Sequence, residues 1–283
     1  MHLLWTQTVA PPLRGLCLAR ERETIFVCDG RDGLFLFDRA GKIQAQRLSS
    51  TPIAVACCAE DGSAFVVGGS QSPMICWLAP DLSPRWQRPL PHRATALALE
   101  PLGRRVAAAD AGGTLHSIDA SGQTLWQATT PRPLHHLAFA PEKPILAGAA
   151  DFGLVLCFGA SGECLWRDGL VAHVGSLAVG GDGSSLLLAC FGDGLVRYGT
   201  DGPEQQRIPL EKACQLAALS YVGDRLLTAD RNNRLYLRDD KGVIQDQLSL
   251  DSPALAVALG ARGDYAVVGL TSGAILYWEE QPG

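Results

Sequence analysis

The sequence predicts an all-β fold: a seven-bladed β-propeller with four antiparallel strands per blade, closed by an N-terminal strand that completes the last blade. Three observations predict it. Ladders of like residues recur with a period of 40 along the 283 residues. Within each period, short apolar runs alternate with turns rich in Gly, Asp and Asn. The last period stops one strand short, and the first residues of the chain match the missing piece.

The ladders come first. Tryptophans fall at Trp86, Trp126 and Trp166, each after a short turn: Leu82-Ser83-Pro84, Ser121-Gly122 and Ser161-Gly162. Small residues recur at Ala98, Ala138, Ala178, Ala218 and Ala258, and again at Gly69, Ala109, Ala149, Ala189, Ala229 and Gly269. Larger ones recur at Leu78, Ile118, Phe158, Tyr198, Arg238 and Trp278. The crowded axis of a propeller selects the alanines of a first strand. The diverging outer edge leaves room for the tryptophans of a fourth.

Each unit reads as hairpins. An apolar run such as Leu97-Ala98-Leu99 meets a polar turn, and a second run ends on a small residue, as in Ile145 to Ala149. A turn holding Gly33, Gly113, Gly153, Gly194, Asn233 or Gly273 leads into the third strand. No window shows the 3.6-residue period of an amphipathic helix. After Gly273 a third strand, Ala274 to Trp278, has no successor, while Leu3-Leu4-Trp5-Thr6 matches Thr124-Leu125-Trp126-Gln127. The N-terminal strand therefore closes the ring and covers an edge. The units divide at 13–51, 52–91, 92–131, 132–171, 172–211, 212–251 and 252–283 plus 1–12, a single propeller domain over 1–283 without a linker.

Composition narrows the function. With 47% hydrophobic residues the chain is not disordered, and no apolar run approaches the length of a membrane span. A net charge of −5 argues against nucleic acid as a partner. Met1 to Ala10 lacks the features of a signal peptide, and nine cysteines without a CxxC pair point to a reducing compartment, so the expected location is cytoplasmic.

Two stretches resemble known repeats. The run from Gly113 to Trp126 resembles the tryptophan-docking repeat of pyrroloquinoline-quinone-type propellers. The run from His173 to Ser184, continuing from Asp193 to Tyr198, resembles a WD repeat. That resemblance implies that His173 and Asp193 join in a hydrogen-bond network, with Tyr198 at the usual Trp. The other blades lack the His–Asp pair. Both resemblances imply the fold, which hosts scaffolds, sensors and enzymes alike.

The candidates for chemistry are few. Cys57-Cys58 invites comparison with the vicinal disulfide near the cofactor of some quinoprotein dehydrogenases. It lies in an axial strand where other blades have Leu-Ala, and core packing is the expected role. Cys157 and Cys164 are expected to face each other across a hairpin as buried thiols. Of His135-His136, one imidazole should face the axial channel and the other the sheet, with no carboxylate at ligand spacing. The sequence has no nucleophile elbow, no P-loop and no dinucleotide fingerprint, so no catalytic, cofactor or metal residues are predicted and no cofactor is expected.

One face gathers the more informative residues. Connections between blades and turns between second and third strands emerge together at the top. They bring Arg93, Arg132, Phe152, His173, Phe191, Lys212 and Arg231 to one mouth of an acidic protein. Arg with aromatic residues is the composition of interface hot spots; alternatively, Phe152 and Phe191 tuck back against neighbouring blades. The expected function is a non-catalytic protein-interaction scaffold, a subunit of a larger assembly, holding protein partners, an acidic segment among them, on this face. The alternative is a small-molecule or cofactor-binding propeller, an enzyme included, that uses the axial channel. A quinone-dependent oxidoreductase is the weaker form of it. An enzyme should converge Asp, Glu, Asn or His on the channel, whereas the axial strands are mostly Ala, Leu and Val.

Overall fold

Runs of Val, Ile, Leu, Phe and Ala separated by tight turns can bury both faces only if sheets stack against each other. The computed structural model, described over residues 1–169 and 172–280, shows how they do so. Seven four-stranded antiparallel sheets hold 28 strands, with no helix among the described residues. Blade 1 comprises Gly15–Ala19, Thr24–Cys28, Gly33–Phe37 and Ile43–Leu48, running from axis to rim. The inner strands of blades 2 to 6 are Ile53–Cys58, Ala94–Leu99, His136–Phe139, His173–Val179 and Cys214–Leu219, and their outer strands are Pro84–Pro89, Thr124–Thr129, Cys164–Asp168, Gln205–Ile208 and Ile244–Ser249. The blade edge expected at 171 and the end at 281–283 lie outside the described residues.

Blade 7 is built from both ends of the chain. Ala254–Leu259, Tyr265–Leu270 and Ala274–Glu279 are joined at the rim by His2–Thr8, with His2 opposite Glu279 and Thr8 opposite Ala274. Arg39 of blade 1 bonds both Glu23 and Glu279, tying the closing sheet to its neighbour.

The tryptophans explain how the rims lock. Trp5, Trp86, Trp126 and Trp166 each donate the indole N–H to a carbonyl 34 residues on, in the next blade: Arg39 at 2.8 Å, Ala120 at 3.0 Å, Ala160 at 2.9 Å and Thr200 at 2.8 Å. The turns under Trp5 and Trp126 have no room for a side chain. Gly41 at φ 77° and Gly162 at φ 86° lie so close that an added Cβ would sit 2.8 and 2.6 Å from the rings of Trp5 and Trp126.

The alanine ladder occupies one structural position, paired in the sheets as Ala98 with Ala107, Ala138 with Ala147, Ala178 with Leu187, Ala218 with Leu227 and Ala258 with Val267. In blade 2 that position is Cys57, opposite Val66, and Cys58 takes the place of Leu99. The expected match of Cys57-Cys58 to Leu-Ala is therefore corrected by one residue. The facing of Cys157 and Cys164 is corrected too. A bulge between Cys157 and Phe158 sets Phe158 opposite Cys164 and Cys157 opposite Trp166, leaving Cys157 buried and Cys164 exposed.

Candidate functional site

The top face is shaped by how each second strand ends. In blades 1, 3 and 6 its last residue or the one after it is an aspartate that accepts two amides of the following turn. Asp29 takes Arg31 at 2.9 Å and Gly33 at 2.6 Å; Asp110 takes Gly112 at 2.9 Å and Thr114 at 3.0 Å; Asp230 takes Asn232 at 2.8 Å and Arg234 at 3.0 Å. The second carboxylate oxygen then meets a side chain six residues on, His116 Nε2 at 2.9 Å from Asp110 or Tyr236 Oη at 3.1 Å from Asp230. Gln127 Nε2 donates to His116 Nδ1 at 3.0 Å, leaving Nε2 of the buried ring to donate to Asp110.

Blades 4 and 5 lack this anchor. Ala150 and Cys190 stand at the corresponding strand ends, and it is these two turns that display Phe152 and Phe191. The Arg132 guanidinium donates to the Phe152 carbonyl at 3.1 Å. Phe152 bridges to His173 as an isolated β pair, and the His173 ring meets Phe191 edge-on at 5.1 Å. Arg231 lies over the Phe191 ring, 4.3 Å from its centroid. Blades 4 to 6 are thus joined by one continuous chain of contacts, backbone and side chain, through Arg132, Phe152, His173, Phe191 and Arg231. Phe152 is 52% exposed, while Phe191 is half-buried between Arg231 and His173. Of the two aromatics, only Phe191 tucks back. Arg93 and Lys212 are exposed on their own connections, outside that chain of contacts among the described residues.

The WD-type network implied for blade 5 has other partners. His173 is exposed against Phe191, Asp193 pairs with Arg207 at 3.3 Å, and the Tyr198 hydroxyl donates to Asp168 at 2.9 Å. His173 begins its strand at the very top, where its backbone bridges to Phe152 and its side chain is exposed. The buried Asp–His arrangement belongs to blade 3, at Asp110 and His116, where the sequence reading missed it. Its signal is the six-residue spacing, which Asp230 and Tyr236 repeat.

The axial channel, about 580 Å³, is walled by inner strands. Ala, Leu and Val dominate its middle, and polar groups sit at its ends. At the bottom Arg20 and Glu60 form a two-pronged pair, with Nε to Oε2 at 2.9 Å and Nη2 to Oε1 at 2.6 Å. At the top His135 and His136 both belong to the channel wall, His135 exposed and His136 half-buried against the inner strand of blade 5. An unexpected carboxylate comes from the neighbouring turn: Asp151 Oδ1 lies 3.3 Å from His135 Nδ1 and 3.8 Å from His136 Nε2. His136 Nε2 donates to the Val174 carbonyl at 3.3 Å, and burial holds its pKa below the usual histidine value against the pull of Asp151.

No curated protein matches the chain. A family profile described as outer membrane protein assembly factor BamB matches it twice, over residues 2–170 and 111–268, two overlapping stretches that together run from residue 2 to residue 268.

Proposed function

The chain belongs to the outer membrane protein assembly factor BamB family, and on that premise we propose that it is a non-catalytic protein-interaction scaffold, a subunit of a larger assembly, with its partner seated on the top face. The observation that carries this reading is the continuous chain of contacts through Arg132, Phe152, His173, Phe191 and Arg231 across three blades. A half-exposed phenylalanine beside cations on a protein of net charge −5 suits an acidic segment with an apolar anchor. The hydrocarbon middle of the channel and the internally neutralised Arg20–Glu60 pair favour the non-catalytic half of the reading, whereas Asp151 beside His135 and His136 at the top is the observation that favours the alternative, a propeller that binds a small molecule in its channel. The odd cysteine count, with five of the thiols buried, supports the cytoplasm as its compartment, and cell fractionation that placed the chain in the envelope would overturn that part.

The test is site-specific photocrosslinking in the native cell. Photoreactive p-benzoylphenylalanine in place of Phe152 should trap a partner. The same group in place of Val222, 70% exposed on a bottom turn, should trap none. Adducts from Val222 alone would refute a top-face site.

A further inference from the structure

The seam between blades 1 and 2 carries sulfur on both sides. Cys17 comes from the inner strand Gly15–Ala19 and Cys58 from the inner strand Ile53–Cys58. Both are half-buried and both line the axial channel. Their side chains enter the same seam, packed with Ala56 against Phe26, Cys28 and Phe65. Cys57, on the opposite face of its strand, is buried against Leu97, Leu99 and Val106 of blade 3. The two strands are in van der Waals contact here: the Cys17 thiol donates to the Ala56 carbonyl at 3.3 Å, and a Cβ on Gly15 would lie 3.4 Å from that of Ala56. The strands are therefore close enough for side chains entering the seam to meet, and Cys58 hydrogen-bonds Cys17 across it; a disulfide needs Cβ atoms about 3.5–4.5 Å apart.

We propose that Cys17 and Cys58 are a site of covalent modification, a dithiol in the channel wall that reacts with a small organic disulfide and closes to a bond between blades 1 and 2. The Cys17 thiol loses its proton and attacks one sulfur of the reagent. The reagent's S–S bond breaks, and one half leaves as a thiolate that takes up the proton. Cys58 then attacks the Cys17 sulfur, and the second half leaves with the proton from Cys58. Two protein thiols are oxidised by two electrons in all, and one disulfide is reduced to two thiols. The order of attack follows from the seam. The hydrogen bond that the Cys58 thiol donates to Cys17, together with burial, holds the Cys58 pKa well above the ordinary thiol value, so Cys58 is slow to ionise and acts second. The proposal is independent of what the top face binds.

Incubation of the full chain with 2-hydroxyethyl disulfide, followed by non-reducing peptide mapping, tests it. The wild type and Cys57→Ala should each lose two hydrogens and show the peptide holding Cys17 joined to the one holding Cys58. The rate should rise about tenfold per pH unit below the thiol pKa. Cys17→Ala and Cys58→Ala should form no such link. A link within Cys57-Cys58, or no link in the wild type, would overturn the assignment. The wild-type map decides the question even if a variant fails to fold.

Discussion

Replacing Trp5 by Ala probes the non-covalent closure of the ring. The Trp5 ring stacks on Tyr277 at 5.2 Å and 16°, covers Gly41, and donates to the Arg39 carbonyl at 2.8 Å, so it touches both the last blade and the first. An indole in this setting removes on the order of 120 Å² of apolar surface from water, worth about 3 kcal/mol as an upper bound. Its hydrogen bond adds about 1 kcal/mol. The net loss in Trp5→Ala should be about 2–4 kcal/mol, or roughly 3–7 °C in melting temperature by calorimetry. Trp5→Phe keeps the stack and should lose only the hydrogen bond, about 1 kcal/mol. Gly41→Ala should cost more in the wild type than in Trp5→Ala, because its Cβ would lie 2.8 Å from an indole that is no longer there. An unchanged melting temperature in Trp5→Ala, or additive effects of the two substitutions, would refute this picture of closure.

Two further predictions concern buried polar groups. Asp110→Ala leaves two turn amides and the His116 N–H without their acceptor and should cost about 2–4 kcal/mol in urea unfolding, more than Asp110→Asn; equal stability of the three proteins would contradict it. Because burial lowers the folded pKa of His136, the unfolded chain takes up the proton first, so stability is complete above about pH 6.5 and declines as pH falls towards the folded pKa, by at most about 1.4 kcal/mol per pH unit for this one proton. His136→Gln should flatten that part of the pH profile, and the same slope in both proteins would exclude His136 as its source.

The fold was legible because a repeat constrains every position several times over. Limited space at the axis put alanine at 98, 138, 178, 218 and 258, and the rim put indoles at 86, 126 and 166. Closure was legible for the same reason, since Leu3 to Thr6 carries the outer-strand pattern. What escaped depends on local slips and on contacts between units. A bulge moved Cys164 away from Cys157, and a one-residue offset moved Cys57 onto the alanine ladder. The Cys17–Cys58 seam, the Arg20–Glu60 pair and the approach of Asp151 to two histidines join residues from different strands. Hydrophobic patterning along one strand carries no signal for them. At the top face the residue types were legible, but not which of the seven touch. Arg132, Phe152, His173, Phe191 and Arg231 are linked, while Arg93 and Lys212 stand apart.

The binding affinity of the partner trapped at Phe152 tests the central claim most directly, measured with the wild type and with a variant carrying Phe152→Ala and Phe191→Ala together. If these aromatics are the anchors of the interface, the dissociation constant should rise at least about 30-fold, the equivalent of one hot-spot residue. Arg132→Glu with Arg231→Glu should slow association and weaken its dependence on salt. An unchanged dissociation constant in the Phe152/Phe191 variant, with its melting temperature preserved, would contradict the account and move the interface off the top face.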